Sequence, residues 1–596
     1  MTTDQNYQQI YRVGGMLDAG FVGQITYTIS LDQVYDELDI HFSFDKRLYS
    51  ESDVTPELID RLQTLCTAKY NAPTYPVEEF RQTILHEMKT EIHTMAELND
   101  DFIGCIHRQL TDRHMLYTKE FTSDGCLAQD TFSGVLKVTV LVFNVLLDNT
   151  QYTLTVSGHP VGHGVIAPNF NLMDTVKTAA GNAGASNAAG SADNSCDAES
   201  APASAVATAG SSDVSGAGSA AMAGDSSVSG AGSAAAAGDS STTGSSSAGN
   251  TVTASTRFKR LELHNHTVES DGSLTCQELT EYLAADHVDA FAITDHNTTS
   301  GQKKIEQLLE EKHYPISLIR GMEYTTYFGH ILCLNLAKYV PWNSIDQHRP
   351  ELLFEATRKK GALVGIAHPF SYGDPFARGC RFEMTISDYS KVDFIEIFNN
   401  PEPLHEVNER GTNLWMSLIF SGYQITATSG MDLHNRAKLA GCYATYIEGK
   451  NGGNIASELD TAIHTHRTWV SKGALLLTEV LPETNELLLT FTDAHKPGFS
   501  VPKTAQVVLK GKDKTFTTSV SLDKPVRVSL NQLSGTDPII PLLYEAASDS
   551  CVNAAAASTS CSNTADASSA AGQLKEIDAL PAIEGLLCVS PVLYRD

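Results

Sequence analysis

The chain of 596 residues is too long for a single hydrophobic core and has the length of about three or four domains. Its 42 Lys and Arg against 71 Asp and Glu give a formal charge of -29, which argues against a broad phosphate-gripping surface and leaves nucleic acid at most a local site. Eleven scattered cysteines, odd in number and without a CxxC pair, fit reduced thiols better than a disulfide framework. The opening MTTDQNYQQIYRVGG lacks a basic start followed by an apolar core, so no secretory signal is expected. The longest apolar stretch, Val135 to Leu147, is too short to span a bilayer and is broken by Lys137 and Asn144. These features predict a soluble cytoplasmic protein with no membrane partner.

Residues 1–175 mix the two periods of regular structure and predict an α+β domain. GQITYTISL and ELDIHFSFD alternate as strands, and TPELIDRLQTLCTAKY reads as a helix with Thr55 at the N-cap and Pro56 at its first position. VEEFRQTILHEMKTEIHTM reads as one amphipathic helix, followed by a two-strand pattern from Gly134 to Val156. His86 and His93 lie seven apart on that predicted helix, and with no third ligand nearby they read as surface residues. From 176 to 256 the chain is almost all Ala, Gly, Ser, Thr and Asp, with the near-repeats SSDVSGAGSAAMAGD and SSVSGAGSAAAAGD. Such a segment lacks the apolar side chains that would offset its ordering entropy, so a disordered linker is expected, spanning roughly 50 Å.

Residues 257–474 alternate short apolar runs with helical patterns. RLELH, DAFAIT, ISLIRGME, GALVGIAH, DFIEIF, QITATSG and CYATYIEG read as strands. Between them TCQELTEYLAAD opens with a capping box from Thr275 to Glu278, and GQKKIEQLLEEK, SIDQHRPELLFEATRKK, LHEVNERGTNLWMSLIFSG and NIASELDTAIHTH read as helices. This alternation predicts a parallel sheet, open or closed into a barrel, with function at the carboxyl ends of its strands. Residues 475–596 carry alternating runs that predict a C-terminal antiparallel β domain, interrupted by a disordered insertion over 546–572.

The polar residues fall where such a fold places chemistry. His264 and His266 end the first strand, side by side on an extended chain, with Asp271 just beyond. Asp295 and His296 end the second, Glu323 and His330 the third, His368 the fourth, and Asp432 and His434 the sixth. Burying so many ionisable groups in one crevice would be very costly without cations. No cysteine lies in the set, and imidazole with carboxylate suits Zn, Mn or Fe in hydrolytic use. The ligands outnumber those of one tetrahedral ion, so two or three divalent ions are expected. Ser429 lacks a nucleophile-elbow context and reads as structural.

The order H-x-H, D, T-D-H, G-x-E, H, A-H-P, D-x-H over residues 257 to 470 resembles the PHP (polymerase and histidinol phosphatase) superfamily of metal-dependent phosphoesterases. The resemblance implies a distorted seven-stranded βα barrel. The short step from Glu323 to His330, with IEIFNN and RTWVS, is similar to the CehA/McbA-like metallohydrolase branch, whose named members cleave aryl carbamates. By that resemblance His264, His266, Glu323 and Asp432 hold one metal. Glu323 bridges to a second held with His330 and His368, and Asp271, His296 and His434 hold a third. Leu433 departs from the small residue that relatives often carry between Asp432 and His434.

The chemistry expected of such a centre is attack by a metal-bound hydroxide on a phosphorus or carbonyl centre polarised by a neighbouring ion. Asp432 and His434 are the expected catalytic residues, with Asp295 orienting the rim from behind the ligands. Arg378, Arg381, Arg436 and Asn399 are the expected substrate contacts, a guanidinium there clamping phosphate oxygens. The expected activity is hydrolysis of a small-molecule or nucleotide-like phosphate ester, without stable nucleic-acid binding. The alternatives are a carbamate or related carbonyl substrate, or a non-catalytic metal-stabilised scaffold.

Overall fold

The computed structural model describes residues 7–46, 48–70, 74–108, 110–146, 149–161, 256–399, 406–496, 500–546 and 574–595. The predicted linker (176–256) and insertion (546–572) lie outside the described residues apart from their edges at Thr256 and Ala546. The chain divides into two compact units, residues 1–48 with 89–215, and residues 49–88 with 216–596.

The first unit is an antiparallel sheet of β1 (Gln8–Leu17), β2 (Gly23–Phe44), β3 (Glu91–Leu98), β4 (Asp101–Ile106), β5 (Asp112–Tyr117), β6 (Phe132–Asn144) and β7 (Thr150–Pro160). Its order is β1-β7-β2-β6-β3-β4, with β5 also on β2. The long β2 changes partners at an irregularity between Leu31 and Tyr35, leaving β6 for β7 and β5. Period-two alternation then buries Leu38, Ile40 and Phe42 against Leu136, Val138, Val140, Leu154 and Val156. The helix predicted over VEEFRQTILHEMKTEIHTM stops at Glu87, and Glu91–Leu98 is a strand buried along its whole length. A segment covered on both faces is stabilised by sheet pairing to β4 and β6, which overrides its local helical period. His86 is therefore an exposed helical residue, whereas His93, expected at the surface, is a fully buried strand residue 3.2 Å from Glu91.

The second unit contains α1 (Pro56–Tyr70) and α2 (Val77–Glu87), which the sequence placed in the first block. Thr55 caps α1 as expected, its hydroxyl accepting from Leu58 N at 3.2 Å. The apolar stripe of these helices packs on a loop far along the chain, with Tyr70 edge-on to Tyr372 and Phe80 edge-on to Phe376.

All seven predicted strands of 257–474 form. They are β8 (Thr256–Glu262), β9 (Ala290–Ile293), β10 (Ser317–Thr326), β12 (Leu363–Ile366), β13 (Phe394–Asn399), β14 (Thr426–Gly430) and β15 (Ala444–Lys450), with β11 (Gly329–Leu334) and β16 (Thr468–Ser471) in addition. The predicted helices are α3 (Cys276–Ala285), α4 (Ser300–Lys312), α5 (Glu351–Arg358), α6 (Glu406–Phe420) and α7 (Ile455–His464), and α3 carries the Thr275–Glu278 capping box. The sheet is mixed where a parallel one was expected. β8–β9–β10 and β12–β13–β14 are parallel, but β11 turns back from β10 and separates the two sets, and β15 runs antiparallel to β8. The two ends of this run meet beyond β8 and β14, where Leu433 N donates to His264 O and His266 N to Leu433 O.

The C-terminal strands are β17 (Ala474–Leu481), β18 (Glu486–Asp493), β19 (Thr504–Lys510), β20 (Thr515–Ser521), β21 (Val526–Ser529), β22 (Ile540–Glu545), β23 (Lys575–Ile577) and β24 (Leu586–Val589). They are antiparallel as predicted, but most extend the same sheet past β16 in the order β24-β22-β19-β20-β23, and only β17, β18 and β21 form a sheet apart. Trp469 and Tyr446 share one apolar cluster with Leu476, Phe491, Val507 and Leu543, so the described strands that carry these residues are continuous with the preceding core. No described helix is long and apolar enough to cross a membrane.

Candidate metal centre

The two histidines of LELHNH continue β8 with its side-chain alternation. Asn265 between them points the other way, its Nδ2 donating to Ala292 O at 2.9 Å, so His264 and His266 share the opposite face. Glu323 and His330 come together through the β10–β11 hairpin. Thr325 pairs with His330 across it, and Glu323 lies two residues before Thr325 on the same face. A parallel bridge between His296 and Glu323 adds the end of β9. His368 and Asp432 follow β12 and β14 at φ of 23° and 51°, left-handed backbone that non-glycine residues rarely hold.

These elements converge on Glu323. Its Oε1 lies 2.8 Å from His330 Nδ1 and 3.1 Å from His368 Nε2, and its Oε2 lies 2.9 Å from His296 Nδ1, 3.2 Å from His264 Nε2 and 3.4 Å from His266 Nε2. Asp432 Oδ1 stands 3.0 Å from His266 Nε2 and 3.4 Å from His264 Nε2. Asp271 Oδ1 stands 3.3 Å from His434 Nε2 and 3.6 Å from His296 Nε2. All nine side chains predicted as ligands therefore meet in one crevice. Glu323, His264 and His266 are fully buried, while Asp271, Asp432 and His434 keep 23 to 35% of their side-chain surface, which is the side on which the crevice opens.

Four atoms test whether cations fit. His264 Nε2, His266 Nε2, Glu323 Oε2 and Asp432 Oδ1 stand 3.0 to 3.4 Å apart in pairs, yet none makes a hydrogen bond. Imidazole nitrogens and carboxylate oxygens crowded around a common buried point without hydrogen bonds are costly as a protein core and suitable as a coordination sphere. The ligand atoms group as His264, His266, Glu323 and Asp432; as His266, Asp271, His296 and His434; and as His296, Glu323 and His330. The first set is the one the resemblance implies. The second adds His266, and the third has His296 where His368 was expected.

Outer groups fix the ligands. His264 Nδ1 donates to Glu396 at 3.1 Å, which leaves Nε2 with its lone pair inward, and His434 Nδ1 likewise donates to Asp432 O at 2.9 Å. Glu396 also accepts from His368 N at 2.9 Å and from Asn399 Nδ2 at 2.9 Å. Sequence reasoning missed Glu396, although a carboxylate inside the apolar run DFIEIF was a visible signal. Glu262, also missed, accepts from Met431 N at 2.7 Å and ties β8 to the end of β14, and burial pushes its carboxyl up to about 7. Burial would raise Glu323 and Asp432 too, but the surrounding imidazoles hold both well below the ordinary carboxylate range. Burial, with His296 and His434 close by, pushes His266 down to about 3, so it stands as a neutral donor.

Asp295 takes the expected place behind the ligands, its Oδ1 accepting from Thr267 N and Ser270 Oγ, both at 2.7 Å, and its Oδ2 from Thr267 Oγ1 at 2.9 Å. It braces the loop between His266 and Asp271. Asn399, expected at the substrate, is buried, with Nδ2 on Glu396 and its backbone N and O bonded to the Asn408 amide. Arg378 is engaged by Asp374 at 2.9 Å. Arg436 is exposed, its guanidinium 5.5 Å over the Tyr282 ring, and Ser429 is a buried structural residue bonded to Thr445.

Gly430 sits directly behind the ligands. A Cβ there would stand 2.5 Å from His264 Cβ and 2.7 Å from Glu396 Oε1. Gly430→Ala is expected to destabilise the protein by about 1–3 kcal/mol, read as a lowered denaturation midpoint, because both obstacles are buried and fixed.

Residues 7–160 match a family of unknown function, DUF6669. The chain is 34% identical over 79 residues to the 5'-3' exoribonuclease Rnm of Escherichia coli (strain K12), which is 13% of this chain and 27% of that protein. It is 36% identical over 87 residues to a 5'-3' exoribonuclease of Haemophilus influenzae, 14% of this chain and 31% of that one. An uncharacterized protein of Methanocaldococcus jannaschii is 30% identical over 112 residues, 19% and 58%. Among solved structures, a two-domain protein from Bacteroides vulgatus, described as containing a predicted PHP-like metal-dependent phosphoesterase, aligns with a TM-score of 0.29 at 14% identity, over 48% of this chain and 90% of that one. An amidohydrolase from Chromobacterium violaceum aligns with a TM-score of 0.22 at 16% identity, over 29% and 87%. The matches span less than a third of the length of either exoribonuclease.

Proposed function

We propose that the second unit is a PHP-type phosphoesterase, a distorted seven-stranded barrel from β8 to β14 whose crevice holds two or three divalent ions, manganese, zinc or iron, and hydrolyses a phosphate ester. The convergence of imidazole and carboxylate atoms on Glu323, without hydrogen bonds among the innermost four, carries this reading. Divalent ions bound there would polarise a phosphoryl oxygen and stabilise the charge that develops during displacement.

The chain's own residues supply the rest. Glu323 offers one oxygen to each side of the cluster, and Glu396 holds His264 in the tautomer that presents Nε2. Asp295 fixes the loop that carries Asp271, and the buried walls exclude bulk water while the Asp271–Asp432–His434 side admits substrate. The exoribonuclease names of the matched relatives favour a nucleotide-like phosphodiester among phosphate esters.

The test is hydrolysis of a chromogenic phosphate monoester, a phosphate diester and an aryl carbamate by the manganese-loaded full-length chain, with Asp432→Ala as the control. Turnover of a phosphate ester, lost by at least about 10³-fold in the variant, is expected. Turnover of the carbamate alone, or of none of the three with any of these metals, would overturn the reading.

A further inference from the structure

The loop from Pro369 to Glu383 leaves the end of β12 immediately after His368 and folds back over the β10–β11 hairpin that carries His330. Phe382 N donates to Pro369 O and Glu383 N to Phe328 O. Gly379, at φ 89°, lies so close to Thr326 O that a Cβ would stand 2.0 Å from it, so the loop is seated directly on the hairpin. Arg381 is thereby held between two ligand-bearing segments.

Its surroundings are unusual for an arginine. The guanidinium lies 4.8 Å over the Tyr70 ring and 5.6 Å over the Phe370 ring, and Arg410 lies 4.8 Å over that same Phe370 ring. Among the described residues no carboxylate forms an ion pair with Arg381 or Arg410, and Arg381 Nη1 is buried without a hydrogen bond. The nearby carboxylate, Glu383, is taken by Lys69 of α1 at 2.9 Å. Desolvation, and then the neighbouring Arg410, pull Arg381 below the ordinary guanidinium range. Among the described residues, the two cations gathered around this ring have no carboxylate paired with them, the local acid being neutralised from elsewhere.

We propose that α1 completes an oxyanion subsite at Arg381 and Arg410 beside the metal centre, Tyr70 pressing the Arg381 fork into place and Lys69 keeping Glu383 off it, and that the subsite takes a phosphate-type group of the substrate. The planar fork suits such a group because two parallel N–H donors match two oxygens. Residues 56–70 thus contribute to a site whose other groups lie some 300 residues further along the chain, which gives a physical reason for their packing there. That the bound group belongs to the substrate rests on the phosphoesterase reading; that an oxyanion binds there does not.

Inorganic phosphate is titrated by calorimetry into the full-length protein after removal of metal by chelator. Saturable binding is expected, weakened about tenfold or more in Arg381→Ala, several-fold in Tyr70→Leu, and also in Lys69→Met, which frees Glu383 to pair with Arg381. Arg381→Lys keeps the charge without the fork and covers the case in which the alanine variant does not fold; it too should bind more weakly than wild type. In the manganese-loaded enzyme the same variants should raise KM for a phosphate ester with kcat within about twofold. Absence of phosphate binding by the wild type, or binding unchanged in Arg381→Ala and Lys69→Met, would overturn the subsite. Phosphate binding that depends on Arg381 in a protein that turns over no ester would instead retain the subsite and refute the phosphoesterase reading.

Discussion

Glu323→Gln is expected to lower hydrolysis by at least about 10³-fold and to leave the purified chain short of at least one metal ion by elemental analysis. The substitution keeps the shape of the side chain, so no cavity forms, and the effect is one of charge and of donor placement. Glu323 Oε1 serves His330 and His368 at 2.8 and 3.1 Å, and Oε2 faces His296, His264 and His266 at 2.9, 3.2 and 3.4 Å. An amide would turn an N–H₂ toward one of these groups and remove the negative charge from a fully buried point ringed by five imidazoles. Cations held partly by that charge would then be repelled by one another with less between them. Because two of the three donor groups share Glu323, the loss should exceed that from Asp271, which serves one group and stands at the open side. Retention of full metal content with activity within tenfold of wild type would show that Glu323 is not the bridge.

Periodicity along the chain records which face of a segment is covered, and it reads well wherever the covering is local. The seven strands of 257–474, the Thr275–Glu278 capping box and the strand-end positions of His264, His266, Glu323, Asp432 and the rest were legible for that reason. What was misread depended on partners distant in sequence. Thr90 to Leu98 follows a helix without a breaking residue, and only pairing with β4 and β6 makes Glu91–Leu98 a strand and buries His93. β11 was hidden because Tyr327 and Phe328 form a tight connection without Gly, Asn or Pro between them, so GHILCL does not read as a separate strand. The helices Pro56–Tyr70 and Val77–Glu87 show an apolar stripe, but a stripe does not name the surface it covers, here the loop around Tyr372 and Phe376. Glu396 was passed over although its run was quoted, because supporting carboxylates reveal themselves only by what they touch.

Removal of metal by chelator should lower the melting temperature of the full chain by about 10 °C, with recovery on adding manganese. Ions present at about a thousand times their dissociation constant stabilise the folded state by about 4 kcal/mol, and each kcal/mol moves the midpoint of a unit this large by about 2–4 °C. The physical basis is in the pocket. Without cations the carboxylates of Glu323, Asp432 and Asp271 are compensated by protonated imidazoles. Burial alone would lower the His434 imidazole, but Asp271 and Asp432 outweigh it and push it up to about 10. A histidine whose folded-state pKa is raised contributes stability fully present below its unfolded value and lost as pH rises toward about 10. Coordination requires the lone pair that this proton occupies, so metal binding expels it. The metal-free chain therefore loses stability as pH rises through neutrality, while cations bind more strongly there. The increase in melting temperature on adding manganese should accordingly grow with pH. An increase that stays constant or shrinks over that range, or an unchanged midpoint in a chain shown to be free of metal, would mean that the crevice is satisfied by its own protons and that its nine convergent side chains are not a metal centre.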